Sequence, residues 1–379
     1  MASPGLSWAR MVAILIKEFR QVRRDRLTFA MMVGVPVMQL ILFGYAINTD
    51  PRHLPLAVVA ADHSPFARSL VAGLRNSRYF DLTHTPASEA EGARLLDTGQ
   101  VQFLLVIPPD FSRKLVRGER PAVLLAADAT DPSAAGNALA AVSGITGQVL
   151  ARELTGPLSH LAQGEPAFEV RVQRRYNPDG LARFNIVPGL IGVILTMTMV
   201  MMTSLAVTRE YERGTMENLL ATPARPLEVM IGKIAPYILI GYVQVLVILV
   251  TARLLFDVPM VGSLVLLSLV LVLFIAANLA VGFTFSTLAR NQLQAMQLTF
   301  FFFLPSMLLS GFMFPFRGMP RWAQTIGELL PLTHFLRAVR GILLKGNTLG
   351  DILPFLWPIA LFMLAAGAIA IRRYRETLD

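Results

Sequence analysis

The stretch TREYERGTMENLLATPA, residues 208–224, is polar and charged, yet it stands between residues 186–207 and 234–256, two runs apolar enough to cross a bilayer. A transmembrane helix needs about 20 mostly apolar residues. A short, charged, helix-prone segment between two such runs is a contact surface on one side of the membrane rather than a simple connector. Working outward, four further runs meet the same requirement: 27–47, 264–288, 293–314, which Pro305 interrupts, and 353–371. The expected fold is an α-helical membrane protein with six transmembrane helices.

Composition agrees. Of 379 residues, 54% are hydrophobic and only 16% charged, more apolar surface than one soluble core can hide. The formal net charge of +9 is what cytoplasmic Lys and Arg give a membrane protein, so it does not call for nucleic acid as a partner. Cysteine is absent, which excludes disulfides, thiolate metal sites and cysteine nucleophiles together.

Basic residues near the spans set the orientation. With the N-terminus inside, one face collects Lys17, Arg20, Arg23 and Arg24, then Arg209, Arg213, Arg225 and Lys233, then Arg290, then Arg372, Arg373 and Arg375, while the turn 257–263 holds none. The positive-inside rule places both termini in the cytoplasm. Residues 1–26 carry Met11, Leu15, Phe19 and Val22 at helical spacing against a basic face, which predicts an amphipathic interfacial helix before span 27–47. That start is read as an uncleaved anchor, because the apolar run is long and no A-x-A site follows. Arg253, near the outer end of the third span, can snorkel to the lipid headgroups.

Residues 48–183 have the composition of a soluble domain, with balanced charge. Strand-like runs at 56–60, 101–107, 123–127 and 168–172 alternate with helix-like runs at 64–76, 88–98, 112–117 and 132–154. Such alternation predicts an α/β extracytoplasmic domain with a parallel or mixed sheet, inserted between spans 1 and 2. His53, His63, His84 and His160 lack ligand spacing, Asp128 and Asp131 sit where a strand-to-helix turn favours caps, and G-x-S-x-G is missing. No catalytic residue and no metal site is expected.

After the second span, Thr215 can cap a short helix running to Ala221, Gly214 permits a change of direction before it, and Pro223 ends it. Such a helix presents Leu219 and Leu220 on one side and Glu217 on another, a lever on the cytoplasmic edge attached to two spans. The pattern E-x-E-R-G-T-x-E-x-L-L-x-T-P, from Glu210 to Pro223, resembles the coupling region of ABC-2 type export permeases, the membrane subunits of ATP-binding cassette exporters. A second block agrees: Pro305, Ser310, Gly311, Phe314, Pro315, Met319, Pro320 and Trp322, then Leu330 to Thr333, Arg337, Arg340, Gly341 and Gly346. It is similar to that family's fifth span and re-entrant outer hairpin, here residues 311–352 within the membrane half 184–379. The large domain after the first span resembles the multidrug-type subgroup with a big periplasmic insertion.

The resemblance implies a bacterial inner-membrane protein, a second permease protomer, identical or not, and a coupling segment 208–233 in which Glu210, Glu212, Arg213, Gly214, Thr215, Glu217, Leu219 and Leu220 meet an ATPase. Lys233 is followed by Ile234 and no P-loop is present, so ATP and its Mg are expected on that separate ATPase subunit and no cofactor on this chain. A periplasmic adaptor is a further possible partner.

Met197 and Met201 in the second span and Gln297 and Phe301 in the fifth suit an amphiphilic cargo, since methionine and aromatic surfaces adapt to varied apolar shapes. The resemblance implies that these two spans line the path at the dimer axis. Pro305, Gly311 and Pro315 predict irregular backbone at the outer mouth, tolerated there only if covered by protein or facing water. Two readings stay open: export of a hydrophobic or amphiphilic compound, or a mechanotransmitting subunit that acts on a cell-envelope partner without transport. A secondary carrier would want an acidic residue inside a span, and the six have none.

Overall fold

The structure is a computed structural model that describes residues 51–146, 148–162, 166–212 and 226–376. The interfacial helix expected over 1–26 and the first span at 27–47 lie outside the described residues. What is described divides into an α/β half and a helical half.

In the α/β half, β1 (Leu54–Ala60), α1 (Pro65–Asn76), β2 (Phe80–His84), α2 (Glu89–Asp97), β3 (Phe103–Ile107), α3 (Phe111–Val116), β4 (Ala122–Asp128), α4 (Pro132–Thr146) and β5 (Glu169–Arg175) follow in order. The five strands form one mixed sheet, β2-β1-β3-β4-β5, in which only the β3/β4 pair is antiparallel. Alternation of side chains along each strand assigns the two faces. Leu56, Val58, Phe103 and Leu105 face α1, α3 and α4 in the main core, whereas Ala57, Leu104 and Ala126 face Leu96 of α2. The Ser64 and Ser88 hydroxyls accept from Ala67 N and Glu91 N, capping α1 and α2 where the sequence places their starts.

β2 and the 3-10 turn Gly156–Ala162 are additions to the expected pattern. In FDLTH only Phe80 is buried, so this edge strand carries too little apolar signal to be read. At the other edge, β5 exposes much of its length and carries Glu169, Arg171, Arg174 and Arg175, charges that discourage further strand pairing.

The helical half contains α5 (Ala182–Glu212), α6 (Pro226–Phe256), α7 (Leu264–Leu288), α8 (Gln292–Leu309), α9 (Arg321–Leu329), α10 (Pro331–Arg340) and α11 (Leu349–Glu376). Among the described residues five helices are long and apolar enough to cross a membrane: Ala182–Glu210, Tyr237–Phe256, Leu264–Leu288, Gln292–Leu309 and Leu349–Arg373. α7 is the hub. It packs on α5 and α11 and buries Val270, Phe274, Ile275 and Leu279. At Gly282 a Cβ would stand 2.6 Å from the Val200 carbonyl oxygen of α5, so hydrogen alone allows these two backbones to approach so closely.

Two expectations need correction here. The fifth span ends at Leu309 rather than at 314, because Ser310 closes the helix and Gly311 turns to φ +82°, and Pro305 lies inside α8 without breaking it. Residues 208–212 form the last turn of α5 rather than loop, and α6 already starts at Pro226, which leaves 213–225 outside the described residues.

Beyond Gly311 the chain makes a 3-10 turn (Phe316–Gly318), α9, α10 and a π-helical turn (Gly341–Lys345) that closes on Gly346 at φ +72°. α10 is short yet buried along most of its length, with Phe335 stacked on Phe274 of α7 at 4.0 Å between ring centres. Its starting Pro331 needs no N–H partner at that position.

Candidate functional site

Three regions hold the residues singled out by sequence. At one end of the helical half, α5 and α8 are tied together. Glu212 Oε1 accepts from the Gln292 backbone N–H at 2.8 Å and Oε2 from Gln292 Nε2 at 2.5 Å, so the last residue of α5 caps the first turn of α8. Those bonds hold the Glu212 carboxyl below its usual range. Glu210 is half-buried two residues earlier, while Arg213, Gly214, Thr215, Glu217, Leu219 and Leu220 lie outside the described residues.

The second region is the pair of faces offered by α5 and α8, which pack on each other through a buried 3.2 Å contact between Ser204 Oγ and Thr299 Oγ1. Thr299, Ala295 and Phe303 point into the helical half, leaving Leu293, Met296, Phe300 and Phe301 exposed. Met197 and Met201, at i and i+4, are half-buried on α5 beside exposed Met202. Gln297 stands half-buried on α8 one turn before Phe301, its Oε1 shut from solvent and without a hydrogen-bond partner. The structure thus brings the four path residues onto two adjoining helices, on faces no other part of the described chain covers completely.

The third region is a cavity of about 380 Å³ between the α/β half and the turns after α8. Gly311 and Pro315 line it, with the Gly311 carbonyl accepting from Arg340 Nη1 at 3.1 Å, whereas Pro305 sits away from it inside α8. Its roof is the C-terminal end of α2. Three carbonyls there accept from the helical half: Leu96 from Lys345 Nζ at 3.1 Å, Asp97 from Asn347 Nδ2 at 3.4 Å and Gly99 from Arg317 Nη2 at 2.9 Å. A helix C-terminus exposes unpaired carbonyls and partial negative charge, so cations are the natural groups to meet it.

Around that contact Lys345 Nζ also meets Asp128 Oδ2 at 2.5 Å and lies 4.9 Å above the Tyr176 ring, whose hydroxyl donates to Asp97. Burial, helped by Asp97, pushes the Tyr176 hydroxyl far above its ordinary value, so it stays a donor. Arg337 makes a forked pair with Glu328, Nη2 to Oε1 at 2.6 Å and Nη1 to Oε2 at 3.1 Å, with its guanidinium over the Phe316 ring. Among the described residues no cluster of three or more His, Asp or Glu is placed to hold a metal ion. The arrangement is that of a clamp between the two halves with a cavity beside it.

Sequence reading passed over this clamp. Arg337 and Arg340 stood out only as part of a pattern, and Asp128 only as a cap; Lys345, Tyr176 and Arg317 carried no signal, because their partners are more than 75 residues away in the chain.

A family model for ABC-2 family transporter proteins matches residues 26–372. The chain is 31% identical over 373 residues to the probable multidrug ABC transporter permease YbhS of Escherichia coli (strain K12), covering 97% of this chain and 96% of that protein. It is 27% identical over 370 residues to the probable multidrug ABC transporter permease YbhR of the same strain, covering 97% and 98%. To the inner membrane transport permease YhhJ, also of that strain, it is 28% identical over 382 residues, covering 96% of each. The match runs through the α/β half, every described span and the turns that form the cavity, and the chain belongs to the ABC-2 family of transporter permeases.

Proposed function

We propose that this permease exports a hydrophobic or amphiphilic compound, drug-like or lipid-like, outward across the bacterial inner membrane, driven by ATP hydrolysis on a separate subunit. The working unit is a dimer of permease protomers with two ATPase subunits at the cytoplasmic rim. Closure of the ATPases enters through the segment around Glu210, Glu212 and residues 213–220, and moves α5 and α6. Cargo passes between the α5 faces and α8 faces of the two protomers. It leaves past the turns at Gly311 and Pro315, beneath an α/β half that lies outside the membrane.

The observation that carries this reading is the contrast between α7 and the α5/α8 pair. Where α7 is open it shows only aliphatic side chains, Leu264, Val265, Leu269, Val272 and Leu288, whereas α5 and α8 leave Met202, Phe300 and Phe301 open beside half-buried Met197, Met201 and Gln297. Exposed methionine and aromatic side chains with one amide suit varied apolar shapes better than a fixed polar ligand. The kinship with permeases named as multidrug transporters supports the same cargo class.

The test is co-reconstitution with its ATPase in vesicles loaded with an apolar fluorescent dye. ATP-dependent dye movement that falls several-fold in Met201→Asp and Phe301→Asp is expected. Movement that is independent of the ATPase, or untouched by both substitutions, overturns the reading.

A further inference from the structure

We infer that the trough between α1 and the edge strand β2 binds an elongated organic dianion, with an acidic group at each end and an apolar middle, through Arg68 and Arg75. The site lies wholly within the α/β half and is independent of the export reading.

The topology opens this trough. β1 and β2 are parallel neighbours, yet the chain leaves β1 for α1 on one face of the sheet and leaves β2 for α2 on the other. Ligands of open α/β sheets sit at such a switch point, beyond the carboxyl ends of the strands. The ladder between β1 and β2 stops at Ala57 and His84, whereas that between β1 and β3 runs on to Ala60 and Ile107. Val58, Val59 and Ala60 therefore have no β2 residue beside them, and a space of about 760 Å³ opens there and along α1. That volume is in the range of small-molecule sites. The clamp to the helical half meets the opposite end of the sheet, at Asp97 and Gly99 just before β3, and leaves the trough open.

The lining has an apolar part and a charged part. Val58, Val71, Leu82 and Pro86 supply carbon surface. Leu82, two residues after buried Phe80, faces the same side of the sheet as α1 and stays 37% exposed. Arg68 and Arg75 stand on one side of α1, two helical turns or about 10 Å apart, with Val71 and Ala72 between them. Both are exposed, and neither guanidinium has a carboxylate within ion-pair distance or a side-chain hydrogen bond among the described residues. Asp62 is the one acid among the lining residues, and it is already engaged: 5% exposed, with Oδ1 accepting from Ser64 N and Oδ2 from Ser112 N.

Two positive charges are thus left without counterions at the ends of an apolar strip. The planar fork of a guanidinium matches a carboxylate, so a ligand with two acidic ends satisfies both arginines and covers the carbon between them. A single small anion leaves one arginine and the strip unused.

The experiment uses the full chain in nanodiscs of neutral lipid, without ATPase or nucleotide. Calorimetry measures the binding of decanedioate, succinate and decanediamine, and hydrogen exchange locates it. Decanedioate is expected to bind and to slow exchange of amides within residues 58–63 and 82–87. Succinate, with the same charge and little carbon to bury, should bind at least about tenfold more weakly. Decanediamine, of like length and opposite charge, should not bind. Arg68→Gln and Arg75→Gln should each weaken decanedioate about fivefold, the scale of an exposed ion pair, and the double variant more than about tenfold. Both side chains are exposed and glutamine is as good a helix former as arginine, so these variants keep the fold. Arg94→Gln, exposed on α2 across the sheet, should leave binding within about twofold. No binding of decanedioate, equal binding of decanediamine, a double variant within twofold of the parent, or protection confined to the helical half overturns the site. Succinate binding as tightly as decanedioate overturns the elongated ligand.

Discussion

Lys345 Nζ lies 2.5 Å from Asp128 Oδ2, joining the π-helical turn after α10 to the end of β4 across 217 residues of chain. Both side chains are nearly hidden, 8% and 12% exposed, so this is a buried ion pair at the joint between the two halves. Removing one partner leaves an uncompensated charge, and Lys345→Met is expected to cost about 3–5 kcal/mol. Asp128→Asn should destabilise in the same direction, and the double variant should lose clearly less than the two singles together. Thermal unfolding of the four proteins in detergent checks this; additivity within about 0.5 kcal/mol would show that the two residues do not interact.

The crossing of α5 and α7 makes a separate demand. At Gly282 a Cβ would meet Val200 O at 2.6 Å and Thr203 Cβ at 2.9 Å, whereas at Gly367 on α11 nothing stands within 4 Å. Gly282→Ala must push two backbones apart and is expected to cost about 1–3 kcal/mol. Gly367→Ala should be neutral or gain up to about 1 kcal/mol from helix propensity. Equal melting temperatures for the two variants would contradict the close approach.

Much of this architecture is legible in the sequence, because apolar runs mark the described spans and alternation marks four of the five strands. β2 escapes because an edge strand with one buried residue has no periodic signal. The end of α8 escapes because Leu308, Leu309, Phe312 and Phe314 continue an apolar run through the turn at Gly311, so hydropathy alone carries the helix too far. That the proposed path residues Met197, Met201, Gln297 and Phe301 lie on two apolar spans can be read from the sequence, but that those spans adjoin cannot. The clamp cannot, since hydrogen bonds between Lys345, Arg317 and the end of α2 depend on how the halves dock, which no local pattern encodes.

Within the α/β half, Asp62 links the start of α1 to the start of α3, its Oδ1 accepting from Ser64 N at 2.8 Å and Oδ2 from Ser112 N at 2.7 Å. Burial alone would raise its pKa, but the bonds from Ser112 and Ser64 outweigh it and lower the value to about 2. The folded value is below the unfolded one, so Asp62 contributes stability that is fully present above about pH 4 and is lost as pH falls toward 2. The contribution is of the order of 2 kcal/mol. Asp62→Asn is expected to lower stability at pH 6 and to flatten its fall between pH 4 and 2, as followed by hydrogen exchange of α1 and α3 amides in the full chain. A variant with the same acid profile as the parent would rule out this role.

Glu212 tests how force enters the helical half. Its two bonds to Gln292 make the ends of α5 and α8 move together, so a push on the segment that follows α5 reaches both helices whose faces are proposed to carry cargo. Glu212→Ala, and Gly214→Pro just beyond the described end of α5, are expected to reduce dye moved per ATP hydrolysed by about tenfold while leaving membrane insertion intact. Gln292→Pro separates two explanations, because it removes both the backbone N–H and the side-chain amide that Glu212 accepts from, at a first helical position that tolerates proline, without altering the carboxylate that an ATPase would meet. A matching loss in Gln292→Pro assigns the effect to the α5–α8 tether, and a loss confined to Glu212→Ala assigns it to direct contact with the ATPase. Full coupling in both Glu212→Ala and Gly214→Pro would sink the proposal that this edge receives the stroke.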